Sequence, residues 1–392
     1  MNEYYQRALD INEEIIENRR ILHNFAETGF DLSRTLSFVQ EKLREYALDP
    51  RPIGKAGITC TIGHPGKTIL LRADMDALPM KEKTGLDFAA TNGNCHSCGH
   101  DCHTAMLLAA AKLLKEKEGN LKGRVKFMFQ PAEELLAGAE DMIQAGILEN
   151  PKVDAAIGMH IKAGTENSHL GTITYTKGTA LYSGDAVRIA IKGKNAHGST
   201  PEKGVDAINI AAHVIIALQE IIAREISCQD QAVLIVGKMQ GGDTVNTLPG
   251  NALIEASIRA TTEEKRAYLK KRVKEISENV AATFRGEAKV EFVYGMGPLY
   301  NDPDISQEIT QYCKEILGEE KVIEVPISTG TEDFTAIAKH VPSVMLNLGA
   351  GSIKEGYTYS MHHPAMIVDE KVLAQGAALY AHCASEYLKN NE

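Results

Sequence analysis

Apolar positions in the first part of the chain switch between two periods. Ile15, Ile16, Arg19, Ile21, Leu22 and Phe25 follow a helical spacing. Thr68–Asp74 (TILLRAD) is a short apolar run ending in polar residues, the pattern of a buried strand. Thr104–Leu114 (TAMLLAAAKLL) predicts an apolar helix, Arg124–Gln130 (RVKFMFQ) alternates with period two, and Ala155–His160 (AAIGMH) is another short buried run. Strands alternating with helices predict an α/β domain whose mixed, mostly parallel sheet is flanked by helices.

The middle of the chain follows a different order. Val187, Ile189 and Ile191 alternate with Arg188, Ala190 and Lys192, which predicts a strand. Gly204–Glu225 predicts a helix with Ile208, Ala212, Ile215 and Ile222 on one side. Ala232–Lys238 and Ala252–Arg259 read as strands, with Asn246–Gly250 (NTLPG) as the turn between them. Thr261 marks the start of the next helix, with Glu264 three residues later as a capping box. Leu269, Val273, Ile276 and Val280 form its apolar stripe, and Lys289–Val293 is the last strand. This β-α-β-β-α-β order predicts a ferredoxin-like α+β layer. Beyond Gly297 the earlier alternation returns, with helices at Ile305–Leu317 and Glu370–Leu388 and a strand at Ser343–Leu348. The length of 392 residues exceeds what one compact core holds. The expected organisation is a discontinuous α/β domain, residues 1–182 and 297–392, interrupted by an inserted domain at residues 183–296.

Charge narrows the class of partner. Lys plus Arg is 42 and Asp plus Glu is 52, a net charge of −10. No basic excess exists to offset phosphate repulsion, so neither nucleic acid nor an anionic membrane is an expected partner. No apolar run approaches the roughly 20 residues of a membrane-spanning helix. The polar stretch Met1–Asp10 has no signal-peptide core, so a cytoplasmic location is expected. Seven cysteines is an odd count, and three of them (Cys95, Cys98, Cys102) stand among three histidines. In a reducing compartment that grouping points to metal or thiol chemistry before disulfides.

The segment Cys95–His103 (CHSCGHDCH) carries thiolate, imidazole and carboxylate, the donors of zinc-type sites. A zinc knuckle or a redox Cys-x-x-Cys would use the same residues. No second Cys/His pair follows at finger spacing, and the donors lead into an apolar helix. Further donors sit at strand ends: Asp74 and Asp76 after the strand at Leu70–Leu71, Glu133 and Glu134 in FQPAEE, and His160 closing AAIGMH. His362 and His363 follow a Gly-rich loop. Open α/β sheets bind ligands off the carboxyl ends of their strands, so these separate segments are expected to share one edge. Adjacent glutamates suit a metal site in which one ligates while its neighbour stays free as a base. Water between two metals loses a proton near neutral pH, and the free carboxylate would carry that proton.

These residues resemble the M20 metallopeptidase family, in particular its amidohydrolase branch of aminoacylase-, hippurate-hydrolase-, acetyldiaminopimelate-deacetylase- and auxin-conjugate-hydrolase-like enzymes. The resemblance runs from Arg19–His23 (RRILH) through LRADMDALP (71–79), CHSCGHDCH (95–103), FQPAEE (129–134) and GMH (158–160). It continues through NAHGSTP (195–201), NTLPG (246–250), SIRAT (257–261), GTEDF (330–334) and MHHP (361–364). It implies two divalent ions per chain, zinc or manganese, held by Cys98, His100, Glu134, His160 and His362. It implies Glu133 as general base, Asp76 and Asp101 as carboxylates behind the donors, and His197 as an oxyanion donor. Asn246 and Arg259 would hold the substrate's carboxylate. The inserted domain would be a lid and the surface of a homodimer. The implied reaction cleaves the amide bond of a small N-acyl amino acid or related conjugate. A carboxypeptidase or dipeptidase is the alternative, and a non-catalytic metal-binding protein would need neither Glu133 nor His197. Where the branch pattern is broken, Cys95 and Cys102 add thiols, Leu135 and Leu136 replace glycines, Ala26 replaces a proline, and His363 becomes a rival ligand.

Overall fold

The computed structural model describes residues 2–392. In chain order the first elements are α1 (Glu3–Asp10), α2 (Asn12–Phe25), α3 (Ser33–Glu45), β1 (Arg51–Ile53), β2 (Gly57–Gly63) and β3 (Thr68–Asp74). They are followed by α4 (His100–Glu116), β4 (Arg124–Gln130), α5 (Gly138–Gln144), β5 (Ala155–Lys162), β6 (Ile173–Tyr175) and β7 (Gly178–Leu181). Next come β8 (Gly184–Lys192), β9 (Ala196–His197), α6 (Ala207–Glu220), β10 (Ala232–Gly241), β11 (Thr247–Leu248) and β12 (Asn251–Ala260). The chain closes with α7 (Glu263–Thr283), β13 (Glu287–Met296), β14 (Leu299–Asn301), α8 (Pro303–Leu317), β15 (Val322–Glu324), α9 (Thr335–Ala338), β16 (Ser343–Gly349) and α10 (Val372–Asn390).

Contacts divide the chain into two compact units. One comprises Met1–Ala180, Tyr300–Pro326 and Asp333–Glu392; the other comprises Leu181–Leu299 and Ile327–Glu332. Ile327–Glu332, which the sequence boundaries place with the α/β domain, belongs to the second unit. There the Tyr182 amide donates to Ser328 O and Arg259 Nη1 donates to Thr329 O at 2.8 Å.

The first unit is built on an eight-stranded sheet in the order β1-β2-β4-β3-β5-β16-β6-β15. Its centre, β4-β3-β5-β16, is parallel, and β2 and β6 pair antiparallel to it on either side. Parallel strands are covered on both faces, which is why β3 buries every residue, including Arg72 and Asp74. Phe127, Ile157 and Leu346 from the sheet share one core with Leu107 and Leu114 of α4 and Leu373 and Ala377 of α10. All four parallel strands end on the same edge, where Asp74 closes β3 and Asp76 follows it, Glu133 and Glu134 follow β4, and His160 lies two residues inside the end of β5, which runs on to Lys162 past the limit expected from the sequence.

The second unit is a four-stranded antiparallel sheet, order β10-β12-β8-β13, with α6 and α7 on one face. Several local expectations are corrected here. The buried face of α6 is Ile210, Ala211, Val214 and Leu218, while Ala212 is exposed and Ile208, Ile215 and Ile222 are only partly buried. Ala207–Glu225 is also long and apolar enough, by length and composition, to cross a membrane. In the structure it lies on the sheet instead. Helix α7 is capped by Thr262, whose hydroxyl accepts from the Lys265 amide; with lysine at that third position the reciprocal capping-box bond is absent. The NTLPG segment is more than a turn: Thr247 and Leu248 pair with His197 and Ala196.

Candidate metal centre and catalytic residues

The Cys98–His100 turn depends on Gly99, at φ 81°, where a Cβ would meet Ile161 Cδ1 at 2.3 Å. This left-handed residue reverses the chain so that Cys98 and His100 face the same edge. Cys98 Sγ lies 3.4 Å from His160 Nε2 and 3.3 Å from His362 Nε2. His362 Nε2 is in turn 3.4 Å from Glu134 Oε1. His100 stands 3.5 Å from Asp76 Oδ1 through Nδ1, and 4.0 Å and 3.9 Å from Glu133 and Glu134 through Nε2. Three overlapping donor groups result: Cys98–His100–His160, Cys98–Glu134–His362 and His100–Glu133–Glu134.

The backbone around these donors is held in uncommon conformations. Ala132 and Leu136, which bracket the two glutamates, have φ of 51° and 52°, and His362 has φ 66°. Positive φ at non-glycine residues costs energy and gathers at functional positions. Asp76 accepts from the Glu133 and Glu134 amides at 3.0 and 3.2 Å, fixing the pair. The His362 amide donates to Ser97 O at 2.8 Å, which ties its turn to the Cys98 turn.

The electrostatics suit a cation. Neither ring nitrogen of buried His100 has a hydrogen-bond partner. Burial pulls its pKa down, but Asp74 and Cys98 outweigh that and hold it well above the usual imidazole range. Hydrogen bonds to Cys98 and Glu134 push His362 up to about 10. The acidic donors thus draw protons onto the imidazoles where a metal ion would otherwise supply the charge. His160 is the opposite case: burial drives it well below its usual range, and its Nδ1 donates to Ile161 O at 2.5 Å, which leaves the Nε2 lone pair facing Cys98. The donor set is therefore chemically fit for divalent ions.

Asp101 is a correction. It shares the first turn of α4 with His100 but faces the other way, accepting from Arg19 Nε at 2.7 Å and His23 Nδ1 at 2.8 Å. It makes no hydrogen bond to a metal donor. The carboxylate that does sit behind the donors, apart from Asp76, is Asp74. It accepts from His103 Nδ1 at 2.5 Å, and His103 Nε2 accepts from the Ile161 amide beside His160. Asp74 is held well below the usual carboxylate range, burial being outweighed by Arg72, His100 and His103. Arg72 also pins Gln130 and Asp333. The signal for this support was an arginine and an aspartate at the polar end of an otherwise apolar strand run. His363 is turned away, its ring stacked on Tyr359 at 4.1 Å and its Nδ1 accepting from the Ala365 amide. Cys102 is buried in the apolar core, and Cys95 Sγ approaches Pro364 O at 4.0 Å, so neither joins a donor group.

Within the second unit, His197 pairs with Thr247 on the β9–β11 ladder, and Asn246, just before β11, accepts from the Gly198 amide next to His197. His197 Nδ1 accepts from the Ser199 amide at 3.1 Å, so the neutral ring carries its proton on Nε2. Arg259 lies at the end of β12, half-buried, with no carboxylate partner among the described residues.

Residues 70–386 match the model of peptidase family M20/M25/M40. The chain is 36% identical over 388 residues to N-acetyl-L-cysteine deacetylase from Bacillus subtilis, covering 97% of this chain and 90% of that protein. It is 32% identical over 388 residues to hippurate hydrolase from Campylobacter jejuni, covering 97% and 98%. A solved structure from Bacillus subtilis, described as a dinuclear metal-binding peptidase from the M20 family, superposes with a TM-score of 0.83 at 30% identity, covering 97% of this chain and 99% of that one.

Proposed function

The chain belongs to peptidase family M20/M25/M40 and is a metal-dependent amide hydrolase; from that premise we propose that it removes the acyl group from a small N-acyl amino acid. The observation that carries this reading is the convergence of Cys98, His100, Glu133, Glu134, His160 and His362, with neither nitrogen of buried His100 in a hydrogen bond. Cys98, His100, Glu134, His160 and His362 would hold two divalent ions, zinc or manganese; the thiolate favours the softer metal and the carboxylate the harder. When bound, those ions supply Lewis acidity that polarises an amide carbonyl and acidifies water near neutral pH.

The protein's own groups do the rest. Glu133, fixed through its amide by Asp76, takes the proton from the attacking water and returns it to the leaving amine. His197 offers its Nε2–H to the oxygen that gains charge in the transition state. Arg259 and Asn246 receive the substrate's carboxylate, the guanidinium through its planar fork. The relatives' names support an N-acyl amino acid: one is a deacetylase of N-acetyl-L-cysteine and another a hydrolase of hippurate. We place the enzyme in the cytoplasm, where its seven unpaired cysteines stay reduced, as a homodimer through the second unit.

The test is hydrolysis of a panel of N-acetyl and N-benzoyl amino acids and unblocked dipeptides, before and after chelation and with zinc or manganese restored. Turnover is expected on the N-acyl compounds, lost on chelation and regained with metal. Undiminished turnover in metal-free protein would sink the proposal; faster cleavage of the dipeptides would make it a peptidase.

A further inference from the structure

We infer that a buried clamp of Arg19, His23, Glu82 and Asp101, none of them a metal donor, positions the Cys98–His100 turn and so sets how tightly the protein holds metal. The inference rests on the metal reading above.

The turn lies in a stretch of chain with little structure of its own. Between Glu82 and the start of α4 at His100, the described backbone has one bridge, Leu78–Cys95, and otherwise only bends and turns. Both ends of that stretch meet one side chain. His23 Nε2 is 3.0 Å from Glu82 Oε1, and its Nδ1 is 2.8 Å from Asp101 Oδ2. A ring that bonds carboxylates through both nitrogens donates from both, and the pKa of His23 is raised accordingly: burial opposes the charge, but Asp101 and Glu82 outweigh it. Arg19 Nε adds a second donor to Asp101 at 2.7 Å, and its Nη1 reaches Glu370, just before α10, at 3.2 Å. The middle of the stretch touches the same pair. Phe88 packs edge-on against His23 at 5.3 Å, with the Arg19 guanidinium 5.0 Å above its ring.

The side chains of Arg19, His23, Glu82 and Asp101 are at most 4% exposed. Buried ion pairs add little net stability compared with apolar packing of the same volume, because both partners lose their water. What such a network does supply is direction. Asp101 is one residue from His100 in the first turn of α4. Fixing the Asp101 carboxylate fixes the rotation of that turn, and with it the bearing of the His100 ring. Glu82 anchors the other end of the excursion that delivers Cys98.

The test compares clamp variants with a control of the same kind elsewhere. His23→Gln cannot bond both carboxylates as the ring does; Glu82→Gln keeps shape and loses charge; Arg19→Ala and Arg19→Lys separate loss from conservative change. Arg266→Gln in the second unit breaks a part-buried pair with Asp185, bonded at 2.7 Å, that has no link to the turn. Three quantities are read: melting of the metal-free protein, the metal dissociation constant against a chromophoric chelator, and the near-ultraviolet thiolate–cobalt absorption of Co²⁺-loaded protein, which reports Cys98. Clamp variants are expected to bind metal about 10- to 100-fold more weakly, with the cobalt band weakened, as when a group behind a ligand is removed. Arg19→Lys should recover part of the loss seen in Arg19→Ala. Arg266→Gln should lower the melting point and leave metal affinity alone. If His23→Gln fails to fold, Glu82→Gln carries the measurement. Clamp variants that hold metal as tightly as a wild type binding two ions would overturn the clamp alone, as would an equal loss in Arg266→Gln. A wild type that binds no metal would overturn the functional reading and the clamp with it.

Discussion

Glu133 and Glu134 are adjacent in sequence yet are assigned different work. Glu134 Oε1 lies near both His362 and His100, and hydrogen bonding to His362 lowers its pKa despite partial burial. Glu133 Oε2 stands 4.0 Å from His100, and no donor group places it beside Cys98. The positive φ of Ala132 and Leu136 turns the chain on both sides of the pair, which is how neighbours come to point into one site from slightly different bearings. Glu133→Gln keeps the shape and removes the base, so kcat is expected to fall about 10² to 10⁴-fold with metal content retained. Glu134→Gln is expected instead to lower metal occupancy, measured by elemental analysis after gel filtration. A drop in turnover below tenfold for Glu133→Gln would mean the base lies elsewhere. The donors were legible in the sequence because their chemistry is distinctive and strand ends are a known place for ligands. Asp101 was not, since adjacency to His100 says nothing about which face of the first helical turn a side chain occupies. Asp74 was marked as a candidate donor, but its bond to His103 was not legible for a related reason: in a sequence, a buried carboxylate–imidazole pair looks the same as two unconnected residues.

Helices α4 and α6 are both strongly apolar, and the sheet they meet decides how each is used. In α4 nearly every residue from His100 to Leu114 is buried, as befits a helix enclosed within an α/β unit. Helix α6 covers only one face of a four-stranded sheet. Its far side leaves Ile216 68% exposed, and the edge strand β10 leaves Ile235 56% exposed. An apolar helix face and an unpaired apolar edge strand both invite a partner. This asymmetry also explains what the sequence could not resolve. Where alternation or a clean stripe existed, as in β4, β8 and α7, strand and helix were readable; in α6, with isoleucine or alanine on every side, periodicity could not choose the buried face. If the homodimer proposed above forms through these elements, symmetry places each substitution in the interface twice. Burying an isoleucine stabilises by about 1.5 to 3 kcal/mol, so Ile216→Glu or Ile235→Lys is expected to weaken dimerisation by about 100-fold or more. Sedimentation over a concentration series checks this; a monomeric wild type, or variants that dimerise as before, would count against the interface.

At the scale of the whole chain, the candidate chemistry is divided between two units. Cys98, His100, Glu133, Glu134, His160 and His362 belong to the first; His197, Asn246 and Arg259 belong to the second. Neither unit carries all the groups the reaction calls for, so catalysis on this reading requires the second unit to deliver its residues to a substrate held by the first. His197 is suited to that task by its local geometry. It is exposed, and the Ser199 amide on Nδ1 keeps the donor hydrogen on Nε2 without any help from the substrate. A donor that meets charge only in the transition state lowers kcat when removed and leaves KM nearly unchanged. His197→Ala is therefore expected to lose about 10² to 10³-fold in kcat, while metal content and the melting of both units stay as in the wild type. If the chain dimerises, His197 can serve either its own active site or that of the other copy. Mixing Glu133→Gln with His197→Ala chains under subunit exchange separates these cases. A mixed dimer in which His197 acts across the interface has one intact site and should regain up to about half the wild-type rate at full heterodimer formation; one in which it acts within its own chain has none. Wild-type turnover by His197→Ala would remove the histidine from the mechanism. The absence of rescue in a demonstrated mixed dimer would leave it in place but confine it to its own chain.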